Sequence, residues 1–157
     1  MCKSIFLMLC LAAFTGLATI TSTAQTTRKS VPASEVNGTF RHNFSGVFRG
    51  SSNEIKILAL GGGKLHIAMD LTYPYSLPNG ELSANMGQLD GEATITADIA
   101  VYESTEDGTC KITIKFVKPG TIKVSQTDSD CGFGHNVSSD GTYKKVSSVK
   151  PKFDKQN

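Results

Sequence analysis

The sequence of 157 residues has no tryptophan, four cysteines, three histidines and five prolines. Each scarcity excludes something. The histidines, His42, His66 and His135, fall in no H-E-x-x-H pattern, and no G-x-S-x-G is present, so neither a zinc-hydrolase helix nor a nucleophile elbow is encoded. No paired-carboxylate pattern or cofactor-binding motif occurs, and no cofactor is expected. Charged residues make up 19% of the chain, with a formal net charge of +2 and the two signs interspersed. A nucleic-acid or membrane-surface binder needs a concentrated basic face, which this distribution does not provide. The lysines near the end (Lys144, Lys145, Lys150, Lys152 and Lys155) read as a solvated tail. Long apolar runs are also missing: Ile5 to Ile20 is 16 positions long, short of the roughly 20 that span a bilayer. Beyond that run, no window shows helical periodicity.

What is present begins with an export signal. Lys3 supplies the positive end, the apolar run follows, and Ser22-Thr23-Ala24 places small residues where cleavage before Gln25 is expected. Residues 1–24 therefore read as a signal peptide, and the protein as periplasmic or secreted, without membrane attachment after cleavage. Cleavage removes Cys2 and Cys10. The even pair that remains, Cys110 and Cys131, reads as one disulfide in an exported chain. Lys3 is the only charge lost, which leaves 15 basic against 14 acidic residues.

From Gly38 the texture is that of half-buried strands. Leu65, Ile67, Met69 and Leu71 share one face of an alternating run, with Lys64, His66, Ala68 and Asp70 on the other. Cys110, Ile112, Ile114 and Phe116 repeat the pattern, as do Ile122 and Val124. Turn signals separate the runs at Gly61-Gly62-Gly63, Pro78-Asn79-Gly80, Asp90-Gly91, Asp107-Gly108, Lys118-Pro119-Gly120 and Asp140-Gly141. The expected fold is all-β, an antiparallel barrel or sandwich of about eight strands. Residues 25–36 read as a flexible leader, 37–146 as the β-domain and 147–157 as a disordered tail.

Three segments are candidates for function. The first is Cys131 to Tyr143, CGFGHNVSSDGTY. Its first half reads as a staple: a hairpin closed at Pro119-Gly120 puts Cys110 opposite position 128, so a bridge to Cys131 ties the open end. Such a closure contributes roughly 3 kcal/mol in the chain-entropy model. Its second half, with Ser139, Asp140, Gly141 and Tyr143, reads either as a plain turn or as a projecting recognition loop. The second segment, Leu71-Thr72-Tyr73-Pro74-Tyr75-Ser76-Leu77-Pro78, reads as a stiff exposed loop. Tyr73 and Tyr75 either cap the core or form a platform for sugar rings or the mouth of a barrel cavity. The third, Thr127-Asp128-Ser129-Asp130, is oxygen-rich like a calcium loop but lacks the spacing and terminal Glu of an EF-hand. No metal is expected there.

The run C-G-F-G-x-N-V-x-x-x-G-x-Y, with G-E-A-T-I at Gly91–Ile95 and C-K-I-T-I-K-F at Cys110–Phe116, resembles a group of small exported bacterial proteins of unassigned activity. The likeness covers about Phe40 to Ser148. More remotely, the whole is similar to bacterial periplasmic lysozyme inhibitors, small antiparallel barrels that insert an S-G-x-Y-type loop into the lysozyme cleft. Ser139, Gly141 and Tyr143 stand at the matching positions, with Asp140 intruding between Ser and Gly. The resemblance implies a non-catalytic protein; the sequence leaves monomer and homodimer both open. Its partner would be a lysozyme or another glycan hydrolase, whose catalytic carboxylates the Ser139 and Tyr143 hydroxyls would meet. The alternative is a small barrel holding a glycan or apolar ligand near Tyr73 and Tyr75.

Overall fold

The computed structural model describes residues 30–106, 108–127 and 130–153. The signal segment, the first part of the leader, Asp107, Asp128, Ser129 and residues 154–157 lie outside the described residues. A single helical turn, α1 (Ala33–Val36), precedes eight strands. These are β1 (Gly38–Asn43), β2 (Ser52–Gly61), β3 (Lys64–Ser76), β4 (Leu82–Thr96), β5 (Ile99–Ser104), β6 (Cys110–Lys118), β7 (Thr121–Gln126) and β8 (Gly141–Ser147). Each strand pairs antiparallel with the next, and β8 returns to β1, so the sheet closes as an up-and-down barrel. Closure removes free edges, which settles the choice between barrel and sandwich.

The alternating runs set which side faces inward. Leu65, Ile67, Met69 and Leu71 of β3 are buried, as are Ile112, Ile114 and Phe116 of β6, while their neighbours face out. Phe40 of β1 meets Phe116 edge-on at 6.5 Å between ring centres, and Tyr143 of β8 is completely enclosed. The interior is thus a packed core, as is usual when eight strands close.

The hairpins form where turn residues demand them. Ile112 lies opposite Gln126, the register that the Pro119-Gly120 turn imposes. At the β3–β4 tip, Leu77 N–H donates to Glu81 O at 2.8 Å and Gly80 N–H to Leu77 O at 2.9 Å. The Asn79 side chain accepts from Glu81 N–H, and Gly80 takes φ +86°, a conformation open to glycine at no steric cost.

Three expectations from the sequence are corrected. Residues 71–78 are not a loop: β3 continues to Ser76, paired through Ser76–Leu82. Pro74 is tolerated because its neighbour Thr72 directs its N–H toward the β2 side, where Asn53 Oδ1 accepts it at 2.8 Å. The Pro74 nitrogen, two residues on, faces the same side beyond the last β2 pair, Glu54–Asp70, and no ladder bond is lost. The described part of the leader, residues 30–36, packs on the barrel: Val36 is buried in the core and Val31 lies against it. Lys145 holds this segment down, donating from Nζ to the carbonyls of Ser34, Glu35 and Asn37 at 2.7–3.0 Å. The described part of the tail is anchored too, because the Phe153 ring stacks on His66 with centres 3.9 Å apart.

Candidate functional site

The segment 131–143 is a wedge followed by a buried network. Cys131 is bonded to Cys110. Phe133 and Val137 lie against Gly87 of β4 so closely that a β-carbon there would stand 2.8–2.9 Å from both side chains. Gly134 N–H donates to Met86 O at 3.0 Å, and Asn85 Nδ2 donates to His135 O at 2.7 Å. The wedge fills a gap in the barrel wall, since β4 pairs with β5 only across Thr94–Thr96.

The second half of this segment does not project. Ser139 is fully buried; its N–H and Oγ both donate to Gln126 Oε1, at 3.1 and 3.3 Å. The Tyr143 hydroxyl donates to Ser139 O at 2.9 Å. Burial pushes its pKa up to about 12, helped by nearby Asp140 and opposed by a hydrogen bond with Asn53. Asp140 accepts from Gln126 N–H at 2.7 Å and from Ser138 Oγ at 2.8 Å, and Gly141 opens β8 beside the His42 ring. The recognition loop expected at Ser139, Asp140, Gly141 and Tyr143 is therefore a structural knot. Alternation turns Tyr143 inward, and the hydroxyls expected to meet a partner bond within the chain.

What projects is the β3–β4 hairpin. Tyr73 and Tyr75 continue the inward-facing series of β3 past the last pair with β2, so their rings emerge above the barrel rim. The two rings lie 6.5 Å apart, inclined by 29°, with Tyr73 40% exposed. Opposite them on β4, on the same face, are Asn85 and Ser83. The set is two aromatic faces beside two neutral polar side chains, without a charge among the four. Asn85 and Ser83 carry no signal in the sequence; their positions across from Tyr73 and Tyr75 are visible only in the register. On the other face of the hairpin Leu82 and Met86 are 58% and 57% exposed.

A second recess, about 360 Å³, lies on the outer face of β2–β4 and is lined by Lys56, Ala68, Asp70, Gln88, Asp90 and the tail residues Lys152 and Phe153. Its carboxylates are tethered: Gln88 Nε2 donates to Asp70 at 3.0 Å, and His66 Nε2 lies 2.8 Å from Asp90. His66 is covered by Asp90 and Phe153. The His–Asp pair resembles a base with its orienting partner, but among the described residues no Ser, Thr or Cys lines this recess. His42 is engaged with the Thr142 carbonyl at 3.1 Å. Among the described residues, no three His, Cys, Asp or Glu side chains converge as a metal site. Asp128 lies outside the described residues, and Asp130 packs near Gly108.

Comparison of the chain with protein families, with characterised proteins and with solved structures yields no match.

Proposed function

We propose that the chain is an exported, non-catalytic binding protein that holds a neutral glycan on the Tyr73–Tyr75 platform. The observation that carries this reading is the placement of two neighbouring rings, nearly aligned, on a paired hairpin above the barrel rim. Sugar rings present C–H faces to aromatic planes, and their hydroxyls take neutral hydrogen-bonding partners such as Asn85 and Ser83. A packed interior directs binding to this outer surface rather than to a cavity within the barrel. Tyr73→Ala and Tyr75→Ala are expected each to weaken binding of a neutral β-linked oligosaccharide, such as chitohexaose or cellohexaose, by on the order of tenfold. Their melting temperatures should stay near that of the parent. Titration calorimetry with both oligosaccharides checks this; equal affinity in all three proteins would remove the platform reading.

The likeness to lysozyme inhibitors supports a second reading, with the contact element relocated. The projecting hairpin, with exposed Leu82 and Met86, is the part of the fold shaped to enter a hydrolase cleft. Loss of lytic activity on mixing with a lysozyme, relieved by Met86→Asp but not by Ser139→Ala, is the outcome expected of that reading. An unchanged rate of lysis would end it.

A further inference from the structure

β4 is fifteen residues long, yet among the described residues a strand partner on its β5 side exists only at its last three. Ile95 N–H bonds to Gly63 O on the β3 side. In an antiparallel ladder main-chain groups alternate, so the even-numbered residues of β4 aim theirs toward the β5 side. At Met86 that outward carbonyl is met by Gly134 N–H, from the wedge rather than from a strand. Asn85, directly across from Tyr73, gives its amide to the wedge carbonyl at His135. Phe133 and Val137 sit on Gly87 with no space to spare. The base of the projecting hairpin is therefore held on one side by residues 133–137, and these are fastened to the barrel through Cys131–Cys110.

We propose that the Cys110–Cys131 bridge is the positioning lock of the Tyr73–Tyr75 hairpin, so that reducing it loosens the hairpin and weakens ligand binding. The ligand half of this proposal rests on the platform reading above; the stiffness half does not. Reduction by dithiothreitol moves two electrons and two protons: the reagent's two thiols close to a disulfide, and Cys110 and Cys131 each end as a thiol. Residues 131–137 then lose their covalent tie to β6, and the hydrogen bonds at Gly134 and His135 with the Phe133 and Val137 contacts on β4 are set against the chain entropy of a loosened segment. A ligand meeting a hairpin that is no longer pre-organised bears the cost of ordering it.

The experiment is amide hydrogen exchange on residues 30–153 of the cleaved protein, oxidised and reduced, with oligosaccharide affinity measured on the same samples. Amides of 72–76 and 82–87 should exchange on the order of tenfold faster after reduction, while those of 112–116 in β6 keep their protection. Affinity for chitohexaose should fall by a similar factor. Phe133→Ala, which leaves the disulfide in place, should give the same local change in smaller degree. Unchanged hairpin exchange in both reduced and Phe133→Ala protein would overturn the lock, as would uniform acceleration across all strands, which would make the bridge a global staple. If the oxidised protein binds no oligosaccharide, the glycan reading fails and the exchange pattern alone decides the lock.

Discussion

At the scale of single residues, the segment 131–143 shows how one spacing serves two different ends. A Ser, an Asp, a Gly and a Tyr in a Gly-rich turn have the composition of a recognition loop. In the fold the Tyr143 hydroxyl bonds inward to Ser139 O, and Ser139 bonds to Gln126. Tyr143→Phe leaves the Ser139 carbonyl without that donor and is expected to cost about 1 kcal/mol. The pH dependence has a definite sign. Below pH 10 the phenol is protonated both folded and unfolded, and nothing is lost. As pH rises from 10 to about 12, the unfolded chain ionises while the buried phenol holds its proton, so stability falls, by about 2 kcal/mol at the end of that window. Urea titrations of parent and Tyr143→Phe at pH 8 and pH 11.5 check this: the variant is the less stable at pH 8, and the gap narrows or reverses at pH 11.5.

At the scale of elements, the ends of the domain are pinned by contacts that local sequence does not announce. α1 is four residues long, too short to persist alone in water. It stays because Val36 is buried and because Lys145, from β8 more than a hundred positions away, gives its ammonium to three carbonyls around the helix end. That ammonium also lies 5.1 Å from the centre of the Phe40 ring. Lys145→Met keeps the stem and removes the donors. Amides of residues 35–37 should then lose exchange protection by on the order of tenfold, with the β3–β4 hairpin unchanged. Protection retained at 35–37 would mean that Val36 alone anchors the segment. At the other end Phe153 covers His66, so an aromatic ring brings a stretch with the composition of a disordered tail back onto the sheet.

At the scale of the whole molecule, one core spans all eight strands, and nearest-neighbour pairing makes each hairpin depend on the next. Phe116 contributes to that core from β6 and meets Phe40 of β1 across the barrel. Phe116→Ala is expected to cost 3–5 kcal/mol, roughly the range for emptying an aromatic site in a packed interior. Unfolding should remain a single transition, read by coincident circular dichroism and fluorescence curves. Two separated transitions would show that the barrel comprises more than one cooperative unit.

The period-two runs at 64–71, 110–117 and 121–126, the turns at Pro78-Asn79-Gly80 and Pro119-Gly120, and the Cys110–Cys131 pairing were all legible in the sequence. They depend on residue type and short spacing, and alternation alone decides which side chains face inward. Even the inward turn of Tyr143 follows from that rule, although a turn-like composition argued the other way. What tertiary structure alone decided is how distant segments share a wall. The extension of β3 through Pro74 needs a β2 that ends early; the wedge needs a gap between β4 and β5; the placing of the Tyr73 and Tyr75 rings needs both. Each depends on strand lengths and register around a closed ring, quantities fixed when all eight strands meet and by no stretch of chain before that.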